Sequence, residues 1–295
     1  MKSGYVALIG RPNVGKSTLM NHVLGQKISI TSRKPQTTRH RILGIKTSDA
    51  GQIIYMDTPG MHQDEKKALN RYLNKTADTS LLGVDVVVWL IDGLAWFGYD
   101  EQIFTKLQRA GLPVILAVNK IDRVVDKEKI LMFFSDAQER FPFEQMIPIS
   151  ALKGLNLDEL QQAILELLPE GGLIYPEDQI TDRPERFLVA EIVREKLTRR
   201  LGDELPYAIT VEIERYEELP NLTKIYAVIW VERDTQKSIV IGKQGEMLKK
   251  IGTDARVDIQ ALIDRKVYLQ LWVKVKKGWS NNERSLQSLG FTGPE

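Results

Sequence analysis

An eight-residue pattern near the start of the chain constrains the fold more than any other feature of the sequence. Residues 10–17 read G-R-P-N-V-G-K-S, and they lie between an apolar stretch at 5–9 and a helical pattern at 18–24. This strand–loop–helix context predicts a phosphate-binding loop, because its glycines let successive backbone N–H groups converge on phosphate oxygens. For the motif alone, a glycine-rich turn that matches by chance is the alternative. The predicted phosphate-binding residues are Gly10, Arg11, Pro12, Asn13, Val14, Gly15, Lys16, Ser17 and Thr18.

Oxygen-bearing side chains predict a magnesium site beside this loop. Lys16 is expected to reach the β- and γ-phosphates, and the Ser17 hydroxyl is expected to bind Mg²⁺. Residues 26–41 are polar and rich in turn formers, which predicts a mobile loop before the next strand. A threonine of this loop would complete the magnesium shell, and Thr38 is preferred over Thr37.

A second predicted loop follows the strand at 52–56. It reads Asp57-Thr58-Pro59-Gly60, with Met61 next. Asp57 is expected to hold Mg²⁺ through water, and the Gly60 N–H is expected to sense the γ-phosphate. The same four residues also suit an ordinary turn. All five, from Asp57 to Met61, are predicted to border the nucleotide.

The tetrad Asn119-Lys120-Ile121-Asp122 predicts which base is bound. It follows an apolar strand at 113–118. The Asp122 carboxylate can accept both N1–H and N2–H₂ of guanine, whereas adenine offers no such pair of donors. Asn119 and Lys120 are expected to brace the loop and cover the base. Near the end of the domain, Ser150, Ala151 and Leu152 follow another strand, and the Ala151 N–H is expected to meet guanine O6.

Alternating strands and helices over the first 170 residues predict an α/β domain with a mostly parallel sheet covered by helices on both faces. The chain has 295 residues, which suits two domains. It contains no cysteine, which excludes disulfides, thiolate-bound zinc and thiol catalysis, and fits a cytoplasmic protein. Because the first strand begins near Tyr5, we expect no signal peptide. The most apolar run, residues 84–91, is far too short to span a bilayer.

The second half of the chain has a different predicted order of elements from the first. Residues 171–184 are rich in prolines and glycines, which predicts a linker. Residues 185–295 follow the order helix–strand–strand–helix–GxxG–helix–strand, with a final tail, which is typical of an α+β type II KH domain. The GxxG loop of such domains clamps about four single-stranded nucleotides. Trp272 on the last strand would pack under the first of these helices or face RNA, and packing is favoured. The predicted RNA-binding residues are Ile241, Gly242, Lys243, Gln244, Gly245, Lys249, Lys250 and Arg256.

A phosphate-loop GTPase domain at 1–170 joined through a linker to a KH domain at 185–295 resembles the Era-like family of bacterial GTPases. The resemblance includes the runs at 36–41, 57–60, 204–207 and 271–276, and it covers essentially the whole chain. It implies a GTP-hydrolysing switch that binds GTP, GDP and the 3′ end of 16S ribosomal RNA. It also implies a role in 30S subunit assembly and maturation, peripheral contact with the inner membrane, and hydrolysis stimulated by RNA. A monomer is expected.

The sequence assigns no residue to orient the attacking water. Ras-like GTPases use a glutamine just after the Asp57–Gly60 turn, whereas this chain has Met61 there and His62 next. We therefore expect slow intrinsic turnover, with Lys16 and Thr38 supplying transition-state electrostatics. Asn13 matches the position that helps to hold K⁺ in related translation-factor-like GTPases. The alternatives are an RNA-binding module whose nucleotide domain is only a scaffold, and a phosphate-loop kinase, which Asp122 disfavours.

Overall fold

The chain forms two compact units. A computed structural model describes residues 1–32, 34, 37–59, 67–202 and 208–291. Within these ranges, the first unit consists of residues 1–29, 38–59 and 75–182. The second consists of residues 30–32, 34, 37, 67–74, 183–202 and 208–291.

The first unit is built around a six-stranded sheet in the order β2-β3-β1-β4-β5-β6, in which only β2 runs antiparallel to its neighbour. Its strands are β1 (Lys2–Ile9), β2 (Ile42–Ser48), β3 (Gly51–Asp57), β4 (Val86–Asp92), β5 (Val114–Asn119) and β6 (Gln145–Pro148). Its helices are α1 (Lys16–Leu24), the C-terminal part of α2 (Ala68–Asp78), α3 (Gly98–Ala110), α4 (Glu128–Arg140) and α5 (Leu157–Leu167).

The sheet is covered on both faces, as β4 illustrates. Val87, Trp89 and Ile91 pack in one cluster with apolar residues of α3 and α4. The alternating Val86, Val88 and Leu90 are also fully buried, because α1 and α5 contact the sheet on its other face. The mostly parallel α/β fold is therefore confirmed, and the parallel strands bring their carboxyl ends to one edge.

Helix α4 was missing from the sequence prediction. Its buried side chains, Ile130, Phe133 and Ala137, recur at steps of three and four. Two more apolar residues, Leu131 and Met132, lie on the exposed side. They obscure the amphipathic pattern that would identify the helix.

Part of the segment predicted as a linker is fixed against the first unit by Gln52, which is fully buried on β3. Its amide oxygen accepts from the N–H groups of Ile174 and Tyr175, both at 2.9 Å. Its amide nitrogen donates to the Tyr175 carbonyl at 3.0 Å and to Thr47 Oγ1 at 2.9 Å. A few residues later, the Ile45 N–H of β2 donates to the Ile180 carbonyl at 2.8 Å. Residues 174–180 therefore follow a defined path.

The second unit has a three-stranded sheet in the order β7-β8-β9, with β7 antiparallel and β9 parallel to β8. Ile192, Ile229, Ile259 and Val273 are among its core residues. The predicted KH order of elements is confirmed, although residues 203–207 lie outside the described ranges. The elements are α6 (Glu185–Arg200), β7 (Thr210–Leu219), β8 (Leu222–Val231), α7 (Asp234–Ile241), α8 (Glu246–Ile263), β9 (Val267–Val275) and α9 (Glu283–Ser288).

The favoured position of Trp272 was wrong. Its ring lies on the face of β9 opposite the core, where it stacks on Tyr226 with centroids 5.9 Å apart. More than a third of its surface stays exposed. The strand alternation correctly predicted which side chains of β9 share a face with Trp272. The prediction failed because α6 covers the opposite face of the sheet.

The C-terminal segment, predicted only as a tail, forms a small core with the start of α2. Trp279, Leu286 and Phe291 pack against Leu69 and Leu73, and all five are buried. The Trp279 indole N–H donates to the Ala208 carbonyl at 3.2 Å. Besides the KH elements, the second unit therefore contains described residues that precede β2 in the sequence and others that follow β3.

Candidate nucleotide and nucleic-acid sites

The phosphate loop has a backbone that only glycine can follow at two positions. Gly10 has φ 142° and Gly15 has φ 113°. A Cβ on Gly10 would lie 2.2 Å from the Leu90 carbonyl oxygen, and one on Gly15 would lie 2.2 Å from Asn119 Nδ2. Because α1 begins at Lys16, the loop ends at a helix N-terminus, where N–H groups favour an anion. The geometry is that of a phosphate cradle.

Lys16 is buried with its ammonium inside this cradle. Its Nζ donates to the carbonyls of Gly10 at 2.8 Å and Arg11 at 3.0 Å. Burial lowers the pKa of Lys16 to about 8, and the nearby Asp57 carboxylate opposes that shift. A phosphate anion at this place would offset the cost of burying the cation.

Ser17, Thr38 and Asp57 bring oxygen atoms together beside the loop. Ser17 Oγ donates to Asp57 Oδ2 at 2.6 Å and lies 3.1 Å from Thr38 Oγ1. Ser29, which the sequence analysis did not identify, donates to the same Asp57 oxygen at 2.8 Å. Burial raises the pKa of Asp57, and its Oδ1 is buried without a hydrogen-bond partner among the described residues. A hard cation with oxygen ligands fits this donor set.

Asn119 forms hydrogen bonds to the phosphate loop, to its own loop and to the loop at Ala151. Its Nδ2 donates to the Val14 carbonyl at 2.7 Å. Its Oδ1 accepts from the N–H groups of Lys120 at 2.8 Å and Ala151 at 2.9 Å. The Ala151 N–H, which the sequence analysis assigned to guanine O6, therefore donates to Asn119 instead. Contact with O6 stays a prediction, and it requires this N–H to be shared.

Asp122 follows β5 in a short 3₁₀ turn, Ile121–Arg123. Its Oδ1 accepts a hydrogen bond from Ser150 Oγ at 2.6 Å. This bond is the main reason that the pKa of Asp122 is lowered. The side chain is therefore a carboxylate of fixed orientation at neutral pH, with Oδ1 directed to Ser150.

Asp92 braces the phosphate loop, and the sequence analysis missed it. Lys120 Nζ donates to Asp92 Oδ2 at 2.6 Å and to the Asn13 carbonyl at 2.8 Å. The Arg11 guanidinium donates to Asp92 Oδ1 at 3.0 Å and lies 4.0 Å from the centroid of the Phe97 ring. Asp92 pairs in register with Asn119 at the ends of β4 and β5. The sequence did offer one sign of this role, because Asp92 is a carboxylate at the end of the strand next to the Asn119 strand.

The remaining predicted nucleotide residues take varied positions. Pro12 and Thr18 are half-buried, Thr58 and Pro59 are buried just after β3, and Leu152 is largely exposed. Gly60, Met61 and His62 lie outside the described residues.

The GxxG loop joins α7 to α8 in the second unit. Gly242 and Gly245 have φ 72° and 81°, and Gln244 has φ 51°. A Cβ on Gly242 would lie 2.6 Å from Met247 Cβ, whereas a Cβ on Gly245 would meet nothing within 4 Å. Gly242 is therefore needed for packing, while Gly245 leaves open space in front of the loop.

A groove of about 440 Å³ runs from Gly245 between α8 and β9. Lys249 and Arg256 line it on the α8 side, and residues 269–271 line it on the strand side. Lys243 and Gln244 are exposed on the loop. Among the other predicted residues, Ile241 packs on the core and Lys250 is exposed but does not line the groove.

Comparisons with known proteins match both domains of the chain. Residues 5–120 match the family model of the 50S ribosome-binding GTPase, and residues 204–280 match that of the KH domain. The chain is 55% identical to the GTPase Era of Marinobacter nauticus, over 99% of this chain and 95% of that protein. It is 56% identical to the GTPase Era of Pseudomonas fluorescens strain Pf0-1, over 98% and 97%. This chain belongs to the GTPase Era family.

Two solved Era structures match nearly the full length of the chain. A single-residue variant of Aquifex aeolicus Era bound to GDP·AlF₄⁻ superposes with a TM-score of 0.95 at 42% identity, over 99% of this chain and 100% of that one. Era in complex with MgGDPNP and nucleotides 1506–1542 of 16S ribosomal RNA also gives a TM-score of 0.95 at 42% identity, over 99% of each chain. The predicted family and fold are confirmed. Across the described ranges, none of the helices is both long and apolar enough to cross a membrane.

Proposed function

We propose that this chain is a GTP-hydrolysing switch that binds the 3′ end of 16S ribosomal RNA and acts in 30S subunit assembly and maturation. One observation carries the proposal. The chain matches, over 99% of its length, an Era protein whose structure contains both MgGDPNP and that RNA segment. The phosphate cradle and the GxxG groove described above support it, because each has the shape and charge that its ligand requires.

The loops at the carboxyl edge of the first sheet bind GTP or GDP. The cradle at 10–18 holds the phosphates, with Lys16 as the buried cation. Asp122, with Ser150 fixing its orientation, reads guanine. Thr58, Pro59, Gly60, Met61, Ala151 and Leu152 border the nucleotide. The domain limits that we propose are 1–170 for the GTPase, 171–184 for the linker and 185–295 for the KH domain with its tail.

Ser17, Thr38 and Asp57 hold the magnesium ion. When it is bound, Mg²⁺ neutralises charge that develops on the phosphate oxygens. Ser17 and Asp57 orient each other through their 2.6 Å hydrogen bond, and Thr38 Oγ1 lies 3.1 Å from Ser17 Oγ. Lys16 supplies a fixed positive charge where the phosphates lie. Intrinsic GTP hydrolysis is slow, because Met61 replaces the water-orienting glutamine of Ras-like enzymes. Bound RNA accelerates this hydrolysis.

Lys243, Gln244 and the two glycines contact the backbone of single-stranded RNA at the loop. Lys249 and Arg256 supply charge along the groove. Ile241 and Lys250 are the remaining proposed RNA contacts, and they lie outside the groove lining. Phosphate neutralisation of this kind makes RNA affinity fall as salt rises.

The decisive experiment measures phosphate release from GTP while the 3′ end of 16S ribosomal RNA is titrated at fixed salt. We expect stimulation by RNA in the wild-type chain and none in Gly245→Asp, which should bind GTP normally. A flat titration despite tight RNA binding would contradict the switch and favour an RNA-binding module with a nucleotide scaffold. Equal competition by ATP would contradict the guanine assignment.

Four finer properties complete the proposal. K⁺ binds at Asn13, so hydrolysis should be faster in K⁺ than in Na⁺ buffer, and Asn13→Ala should remove the difference. The protein is cytoplasmic and associates peripherally with the inner membrane, which co-sedimentation with anionic vesicles tests. It is a monomer, which sedimentation velocity tests.

A further inference from the structure

The face of the KH sheet opposite the core carries a group of three aromatic rings, here called the aromatic platform. Tyr226 projects from the central strand β8, and Tyr268 and Trp272 project from β9. Tyr226 stacks on Trp272 with 16° between the ring planes, and its centroid lies 6.1 Å from that of Tyr268. Trp272 is 37% exposed and Tyr268 is 46% exposed. Aromatic side chains mostly bury their area, so an exposed group of them indicates a binding surface.

Strand β9 joins the platform to the groove that begins at Gly245. It is an edge strand in the described part of the sheet. Leu269 and Leu271 line the groove from the core side of β9. Gln270 also lines the groove, although strand alternation places it on the face that carries the rings. The Tyr268 hydroxyl donates to Gln270 Oε1 at 3.2 Å. The groove therefore continues over the strand edge onto the platform.

The charged side chains beside the platform are paired with one another. Lys274 Nζ donates to Glu214 Oε1 at 2.5 Å, and Arg215 forms an ion pair with Glu217. The Arg215 guanidinium also lies 5.6 Å from the centroid of the Tyr226 ring. Because these acidic and basic groups offset each other, this face offers a ligand its rings more than its charge. Nucleobases suit such a face, since every base has a π face that stacks on aromatic side chains.

We propose that the aromatic platform is a second RNA-binding site, on which bases of a single strand that leaves the groove stack against Trp272 and Tyr268. A GxxG loop clamps about four nucleotides, so a longer strand continues beyond it. The continuity between groove and platform favours RNA over a protein partner. RRM domains use aromatic rings on the open face of a sheet in the same way. This inference rests on the proposed RNA-binding function and adds contacts outside the groove.

The test compares two single-stranded RNAs taken from the 3′ end of 16S ribosomal RNA. The short one has about six nucleotides, little more than the loop holds, and the long one has about twelve. Full-length wild type, Trp272→Ala, Trp272→Phe and Leu219→Ala are titrated by fluorescence anisotropy, and their melting temperatures are compared. Leu219 is the matched control, because it is a 42% exposed apolar residue at the end of β7 in the same sheet.

For Trp272→Ala we expect the affinity for the long RNA to fall by about tenfold, which is the effect of one stacked base. The affinity for the short RNA should change by less than about twofold. Trp272→Phe should keep most of the affinity for the long RNA, because it retains a ring. Leu219→Ala should bind both RNAs as wild type does.

Two further readouts separate stacking from charge. In Trp272→Ala, the slope of long-RNA affinity against salt should stay at its wild-type value, whereas Lys249→Gln should make the slope shallower. The fluorescent base 2-aminopurine, whose emission falls when it stacks, is placed in turn near each end of the long RNA. One of the two positions should be quenched by the wild-type chain and should recover in Trp272→Ala at saturating protein.

The inference is overturned if a folded Trp272→Ala binds the long RNA as tightly as wild type. Equal losses for the short and the long RNA also overturn it, because Trp272 would then act by shaping the groove. So does a wild-type dimer that becomes a monomer in Trp272→Ala by sedimentation velocity, since a second copy would then occupy the platform. If the wild-type chain binds neither RNA, the proposed RNA-binding function fails, and the inference fails with it.

Discussion

Replacing Asp122 with asparagine should exchange guanine for xanthine as the preferred base, because Ser150 fixes which way the new amide points. In the wild-type chain, Ser150 Oγ donates to Asp122 Oδ1 at 2.6 Å. Only the oxygen of an asparagine can accept that bond, so its NH₂ group takes the place of Oδ2. Guanine presents donors there, and two donors would then face each other. Xanthine presents a carbonyl oxygen instead of the 2-amino group, and this oxygen can accept a hydrogen bond from the asparagine NH₂ group.

The size of the effect follows from the hydrogen bonds that are exchanged. Each bond from guanine to the carboxylate is a bond to a charged group, for which about 1.5–3 kcal/mol is typical. In the variant, the bond to Oδ2 is lost and the bond to the remaining oxygen weakens from a charged to a neutral acceptor, which together correspond to about 2.5–4.5 kcal/mol, or roughly 10²–10³-fold weaker GTP binding. Xanthosine triphosphate should gain affinity in the same variant. Displacement of bound fluorescent GDP by each of the two triphosphates measures both changes in affinity.

Ser150→Ala is the matched control. Added to Asp122→Asn, it frees the amide to turn its oxygen towards the base, so the preference for xanthine should shrink. Added to the wild-type chain, it should have little effect, because both carboxylate oxygens are acceptors. If Asp122→Asn keeps its selectivity for guanine, or if Ser150→Ala leaves the xanthine preference intact, the assigned orientation is wrong.

Three other predictions concern single contacts. Gly245→Asp should abolish RNA binding in a gel-shift assay and lower the melting temperature only modestly, because its Cβ would meet no atom within 4 Å although the left-handed backbone (φ 81°) disfavours a side chain. Gly242→Asp should destabilise the fold more, since its Cβ would also meet Met247 at 2.6 Å. Gln52→Leu should lower the unfolding free energy by about 1–3 kcal/mol in urea titrations, because it removes the hydrogen-bond partner of the partly buried N–H and carbonyl groups of residues 174–175. Burial raises the pKa of Tyr175 to about 12, so the stability that its neutral hydroxyl provides below pH 10 should be lost as pH rises towards 12, and Tyr175→Phe should show a smaller loss between pH 9 and 11.

Much of the fold could be predicted from local sequence patterns. The G-x-x-x-x-G-K-S loop and the strand alternation of β4 and β9 depend on residues close together in the sequence, so they are readable without a structure. Helix α4 was missed because exposed Leu131 and Met132 obscured its buried stripe. The packing of Trp279 and Phe291 against α2 was also missed, since it joins residues about two hundred positions apart.

By itself, the sequence determined the kind of chemistry at each site. Lys16, Ser17, Asp57 and Asp122 were identified because a phosphate, a magnesium ion and a guanine each require particular donors and acceptors at fixed spacing. Tertiary structure alone decided how those groups are held. Asp92 and Ser29 act through partners far away in the chain, and a side chain's partner depends on the three-dimensional path of the backbone. Pairing of that kind leaves no local periodicity, and for this reason only the folded chain revealed it.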